Sequence, residues 1–309
     1  KSFTDEEIKK IENILEKRKL LLPDSNIEEF FSYVDFQIQF EVLISSSKFD
    51  RAIYNRIINK NNPCWIPVPE INHIGKEKKD FIELKKEITW LITKTLDESL
   101  KDTHEEIVKC YAKLIQSFDV TLSFNWDILY EHSYRKSNTI IIPINNLGFG
   151  KGLCRPALLK LHGSIDWGEC QQCGLHRSDK IEHIVYEGKI CPNCSQNKLN
   201  PTLIMPSLRK FEETSTIKTP PYENIWCCAM HALSGAQEIY FFGYSLSDDD
   251  AYSKIFLRSG IFKNINPDLK LYVIDKCCCE DLKNRYRKAF ESKVKLKFIE
   301  KTFKEFLES

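Results

Sequence analysis

Two short stretches hold residue types suited to breaking a polar bond, and each places them in the same way. Thr121–Asp127 reads TLSFNWD and Lys160–Trp167 reads KLHGSIDW. Val120–Phe124 predicts a buried strand with Asn125 and Asp127 just past its end, and Leu158–Leu161 predicts a second strand followed at once by His162 and Gly163. Histidine exchanges a proton near neutral pH. Asparagine donates and accepts without adding charge, and aspartate accepts from amides and hydroxyls. In an open parallel sheet, ligands bind outside the carboxyl ends of the strands, so two strands delivering Asn125, Asp127 and His162 to one edge predict a single site. Two further strand ends carry polar signatures. Glu238–Phe242 runs into Gly243-Tyr244-Ser245-Leu246, and Lys270–Ile274 runs into Asp275. Gly163 and Gly243 allow a ligand close to the backbone, Ser245 can bond a phosphate, and Asp275 is the acid expected at ribose hydroxyls in dinucleotide sites.

Each of these residues also has a plainer reading. Asp127 suits the first turn of the following helix, where the dipole favours an acid. His162 can be a satisfied core histidine, and Asp275 a solvated strand terminus. Ser247 and Asp250 resemble a capping box. Ser164 and Asp166 are expected to set a loop after His162, with Trp167 packing at the cysteine module that follows.

That module is Cys170-x-x-Cys173 and Cys191-x-x-Cys194, separated by 17 residues. Paired C-x-x-C knuckles at this spacing predict a four-thiolate zinc ribbon. Four thiolates close the tetrahedron, so the metal is expected to be structural. The flanking His162, His176 and His183 are not needed as ligands. The other eight of the twelve cysteines, Cys277–Cys279 among them, read as small buried hydrophobes.

Composition excludes several classes of function. The chain has 309 residues, 45 basic and 44 acidic, with a formal charge of +1. That balance gives no single-sign field to attract nucleic acid or anionic lipid. No apolar run reaches membrane-spanning length, and no signal-peptide pattern opens the chain. Cysteines without a secretory signal predict a reducing, cytoplasmic setting. The chain begins with Lys1 rather than Met, which predicts that this is not the native N-terminus.

The positioning elements follow from hydrophobic period. Helical patterns run from Thr4 to before Pro23, over Asn26–Ser45, over Lys76–Leu100 and over Thr103–Phe118. Loops are expected at Ser45–Ser47 and Asn61–Pro69. From Val120 onward, strands (Thr139–Ile142, Leu203–Met205 and Val294–Phe298 besides those above) alternate with helices at Asp127–Tyr134, Tyr222–Ser234, Asp248–Arg258 and Glu280–Phe290. This predicts an α/β fold with a doubly wound parallel sheet. The expected organisation is a helical portion, 1–118, packed on a catalytic domain, 119–309, with the zinc module inserted at about 168–200.

The order strand–FNWD, strand–LHGS, paired C-x-x-C, strand–GYSL, strand–VID resembles the sirtuin family of Rossmann-like NAD-consuming enzymes. Asn125 and Asp127 match the Asn and Asp of its QNID motif, with Leu129 and Glu131 a looser match. His162-Gly163 matches the catalytic His-Gly, Gly243 and Ser245 match the outer positions of Gly-Thr-Ser, and Asp275 falls where a polar residue meets the adenosine ribose. KLHGSIDW and GYSLSDDD are closer to the divergent sirtuin-like domains of bacterial antiphage defence systems. The resemblance spans about Val120–Glu300. It implies an NAD hydrolase that yields ADP-ribose and nicotinamide and depletes NAD in an infected cell. It assigns catalysis to Asn125 and His162, and cofactor contacts to Asp127, Gly163, Gly243, Ser245 and Asp275. It also implies restraint by homo-oligomerisation or by a partner such as an ATPase or sensor. Two departures accompany it. No Gly-Ala-Gly-x-Ser pyrophosphate loop is present, which is expected to lie upstream of Lys1 or to have been lost. The acyl-channel segment Phe-Gly-Glu-x-Leu-Pro is replaced by Leu203-Ile204-Met205-Pro206-Ser207. The alternatives are an NAD-dependent protein deacylase and a catalytically silent nucleotide-binding or scaffold subunit.

Overall fold

A computed structural model describes residues 4–21, 30–31, 33–34, 74–101, 105–136, 157–170, 172–177, 190–203, 221–246 and 251–308. The chain divides into two compact units, Lys1–Ile92 and Thr93–Ser309. In the first, α1 (Asp5–Leu21) starts at a reciprocal cap: the Glu7 amide donates to the Thr4 hydroxyl, and the Thr4 amide donates to the Glu7 carboxylate at 2.8 Å. Ile14, Phe30, Phe31 and Val34 are fully buried, as are Leu84 and Ile88 of α2 (Ile74–Lys101). Of the helix expected over Asn26–Ser45, the described residues are helical. The loops at Ser45–Ser47 and Asn61–Pro69 and the strand at Thr139–Ile142 lie outside the described residues.

The second unit is α/β, with two parallel sheets. The first pairs β1 (Val120–Ser123) with β2 (Ala157–Lys160), and the second runs β6 (Glu238–Phe242), β7 (Lys270–Asp275), β8 (Lys295–Glu300). Helices cover both faces, and the alternation of side chains along each strand sorts them. Phe241 and Leu159 point into one core with α5 (Pro221–Gly235), α6 (Ala251–Phe262) and α7 (Glu280–Phe290). Their neighbours Phe242 and Leu158 point the other way, against Leu114 and Ile115 of α3 (Glu105–Ser117), Tyr130 of α4 (Leu129–Lys136), and Phe303 and Leu307 of α8 (Phe303–Leu307). Side chains such as Tyr286 and Phe290, fully buried from α7, each contribute about 1.5–3 kcal/mol by leaving water. That two-sided burial is what the doubly wound reading requires.

Four details differ from the sequence reading, the first being that Cys277 and Cys279 are exposed and only Cys278 of that run is buried. Ser164 and Asp166 lie in a strand, β3 (Gly163–Cys170), and not in a loop. β3 pairs antiparallel with β4 (Gly174–Arg177) and with β5 (Asn200–Leu203). Its residues are buried on both faces except Glu169, so it shows none of the in–out alternation that marks a half-exposed strand. Its Gly, Ser and Asp also disguise it. Of the strand expected at Leu203–Met205, the described residue is Leu203, which pairs antiparallel with β3 in this sheet and not in a parallel one. Trp167 belongs to the main core beside Leu159 and Trp226, not to the cysteine cluster.

Candidate functional site at the strand ends

The turn after β1 is tied to the segment after β2 at several points. The Leu161 amide donates to the Ser123 carbonyl (2.8 Å), and the Ile165 amide donates to the Trp126 carbonyl (3.0 Å). The Trp126 indole N–H donates to the His162 carbonyl at 2.9 Å. Lys160, buried at the end of β2, donates to the Asp127 carbonyl and lies 3.6 Å from the equally buried Glu131 carboxylate. The ammonium offsets a local concentration of acid. Burial, then Asp127, then Glu131 push the Tyr111 phenol well above its ordinary range, so it stays protonated.

The turn after β6 is fixed from α7. Tyr286, whose phenol is held protonated by burial, donates to the Tyr244 carbonyl at 2.7 Å, and the Arg285 guanidinium donates to the Ser245 carbonyl at 2.8 Å. The backbone enters the left-handed region at Gly243 (φ 57°) and again at Leu246 (φ 51°). For leucine this costs about 1–2 kcal/mol, and the complete burial of Leu246 holds it there. Sequence reasoning missed this strained position. Leucine gives no hint of it, because the conformation is imposed by packing.

A groove of about 1800 Å³ runs the length of β1 and β6, each of which is the end strand of its sheet among the described residues. It is larger than the 300–1,000 Å³ usual for a ligand pocket, so a ligand would occupy one end. At the carboxyl end the wall brings together Asn125, Asp127, Gly243 and Asp275, with Lys160 and Lys276. Asn125 is exposed there. Both acids already serve the main chain: Asp127 Oδ1 accepts from the Leu129 amide (3.0 Å) at the start of α4, and Asp275 Oδ1 accepts from the Cys277 amide (2.9 Å). The helix-start reading of Asp127 therefore describes its present bond, and a carboxylate keeps lone pairs for a ligand. Gly243 has open space where a side chain would stand.

His162, Gly163 and Ser245 are not among the described residues of that wall. His162 is buried. Its Nε2 lies 3.2 Å from the Ser253 hydroxyl, and its ring meets Phe124 edge-on at 5.2 Å. Phe124 in turn stacks on Tyr244 at 4.9 Å. Gly163 takes φ 78° where the chain enters β3, a conformation that favours glycine there. Ser245 is exposed. Ser247 and Asp250 lie outside the described residues.

The second site is the cysteine cluster at the far end of β3. The Sγ atoms of Cys170, Cys173, Cys191 and Cys194 lie within 4.8 Å of one another, and those of Cys170 and Cys194 are 3.7 Å apart. A tetrahedron with metal–sulfur bonds of about 2.3 Å needs sulfurs about 3.8 Å apart, so the donor set fits a tetrahedral metal. Ser195, at φ 54°, turns the second knuckle. Hydrogen bonds from the backbone at Asn197 and Gln196 draw the Cys194 thiol down to about 6, which favours a thiolate. Desolvation and the neighbouring sulfurs push Cys173 up to about 12. Four acids this close compete for ionisation until a cation neutralises them. Among the described residues, no helix is long and apolar enough to cross a membrane.

No family model and no curated protein matches the sequence. Among solved structures, the chain is similar to a Sir2 homolog–NAD complex, with a TM-score of 0.44 and 12% identity, over 74% of this chain and 72% of that one. A likeness that loose carries no conclusion about chemistry.

Proposed function

We propose that this chain is a sirtuin-like NAD hydrolase, converting NAD and water to ADP-ribose, nicotinamide and a proton at the carboxyl ends of β1, β6 and β7. The observation that carries this reading is the shared wall, where Asn125 and Asp127 from one sheet and Gly243 and Asp275 from the other meet on one groove. Opposed strand ends with a bare backbone position and two carboxylates suit a nucleotide with ribose hydroxyls. The order of motifs in the sequence favours NAD among nucleotides. Breaking the nicotinamide–ribose bond develops an oxocarbenium-like sugar. Asn125, exposed on the wall, would orient the attacking water or a ribose hydroxyl without adding charge. Asp127 would accept from the nicotinamide amide and Asp275 from ribose hydroxyls, while Gly243 would line the path of the phosphates, and Gly163 and Ser245, which are not among the described residues of the wall, would meet the cofactor beyond it. His162 would take the proton released at the ribose, its ring reaching the groove as Phe124 moves aside.

The burial of His162 against Ser253 also favours a second reading, a silent nucleotide-binding subunit in which this histidine is structural. One experiment separates them. Nicotinamide release is measured in the full-length protein, with Asn125→Ala and His162→Ala beside it. Hydrolysis predicts losses of about 10²–10⁴-fold for each, with NAD binding retained. NAD bound but never cleaved by the intact protein selects the silent subunit.

The cysteine cluster is proposed to hold one structural zinc ion. The resemblance to antiphage sirtuin-like domains supports the biological role proposed: NAD depletion in the cytoplasm of an infected cell. It equally supports restraint by self-assembly or by an ATPase or sensor partner.

A further inference from the structure

The core around α6 is apolar, with Phe256, Leu257 and Ile261 all buried, yet Ser253 sits in it with no exposed surface. An alanine would fill that position equally well. A hydroxyl there costs free energy unless it is bonded, and one contact it makes is with His162 Nε2 at 3.2 Å. The partners are 91 residues apart. One stands at the end of β2 and the other on the helix that follows β6, so the bond crosses between the two parallel sheets. The His162 main chain is held separately, by the Trp126 indole on its carbonyl. Ser253 therefore acts on the ring and not on the backbone.

We propose that Ser253 is the positioning residue for His162, fixing the orientation of its imidazole through Nε2. A neutral imidazole is a donor at one nitrogen and an acceptor at the other, and the partner of one nitrogen decides which. A hydroxyl that can rotate to donate or accept pairs with either tautomer, so what it fixes is the orientation of the ring, held edge-on to Phe124. The kinetic part of this assignment rests on the hydrolysis proposed above; the structural part does not.

The test uses the full chain, labelled with ¹⁵N on histidine, with His162→Ala assigning the His162 ring signals. In Ser253→Ala the His162 ring shifts, that of Nε2 above all, should move as the hydrogen bond that orients the ring is lost. Ser253→Cys, close in shape and weaker in bonding, should fall between. Nicotinamide release should slow by about 3- to 10-fold in kcat, the scale of one ordinary hydrogen bond, with KM little changed. Unchanged ring shifts in Ser253→Ala overturn the proposal. Changed shifts with unaltered kcat, where His162→Ala is inactive, overturn the kinetic role. If His162→Ala still releases nicotinamide, the hydrolase reading of His162 fails, and Ser253 is judged by the ring shifts alone.

Discussion

The cysteine cluster at the end of β3 and the groove at the ends of β1 and β6 are built by opposite means. The cluster draws four like donors from within one short stretch, and their spacing suits the coordination shell of a single metal ion. The groove draws unlike residues from Asn125 to Asp275, and nothing but packing and hydrogen bonds brings them together. A metal site of the first kind tolerates little change in ligand type but needs little from the rest of the fold. A site of the second kind tolerates many local changes but depends on every element that aligns the strand ends.

The comparison breaks most easily at the metal. Cys191→Ser should take zinc content from about one per chain to near zero, because the remaining donors cannot close a tetrahedron. Amide exchange should lose protection at β4 and β5 while β6–β8 keep theirs, since structural zinc supplies about 10–16 kcal/mol in small zinc modules and the parallel sheets have their own core. Equal loss of protection throughout would show that the two regions fold as one. Acidification should act in the same direction as the mutation. Protons compete for thiolates, so zinc release should rise as the pH falls toward 6, where even Cys194 takes up its proton.

Next in size is the buried ion pair that holds the Asn125–Asp127 turn. Lys160→Met leaves Glu131 buried without its ammonium and the Asp127 carbonyl without its donor. The expected cost is about 3–5 kcal/mol, read as a lower urea midpoint, with zinc content unchanged. Stability within about 0.5 kcal/mol of the parent would remove Lys160 from the account of the groove.

Two smaller effects sharpen the groove alone. Asp275→Asn keeps an acceptor for the Cys277 amide but loses the charge, and should weaken NAD binding about 10-fold with the urea midpoint nearly unmoved. An unchanged Kd measured by calorimetry would take Asp275 off the ribose. Gly243→Ala puts a side chain at φ 57° into open space. It should cost about 1 kcal/mol of stability and a larger share of NAD affinity, because the methyl would stand where the ligand approaches. A loss of stability with full affinity would place the ligand elsewhere along the groove.

What the sequence determined by itself is local. The C-x-x-C knuckles, the strand from Glu238 to Phe242 and the helix from Glu280 to Phe290 follow from spacing and period, because ligand bite and side-chain alternation are properties of adjacent residues. The residue types at the strand ends were equally legible, since polar groups after an apolar run announce a terminus. Which of them share a wall was not. Tertiary packing placed Asn125, Asp127, Gly243 and Asp275 on one groove and turned His162 inward to Ser253, a residue with no motif to mark it. Packing also made a strand of Gly163–Cys170 against its own propensities, and forced Leu246 into a left-handed conformation. Burial on both faces and contacts across 91 residues are collective. They exist only once the sheets and helices have closed around them, so no window of sequence carries them.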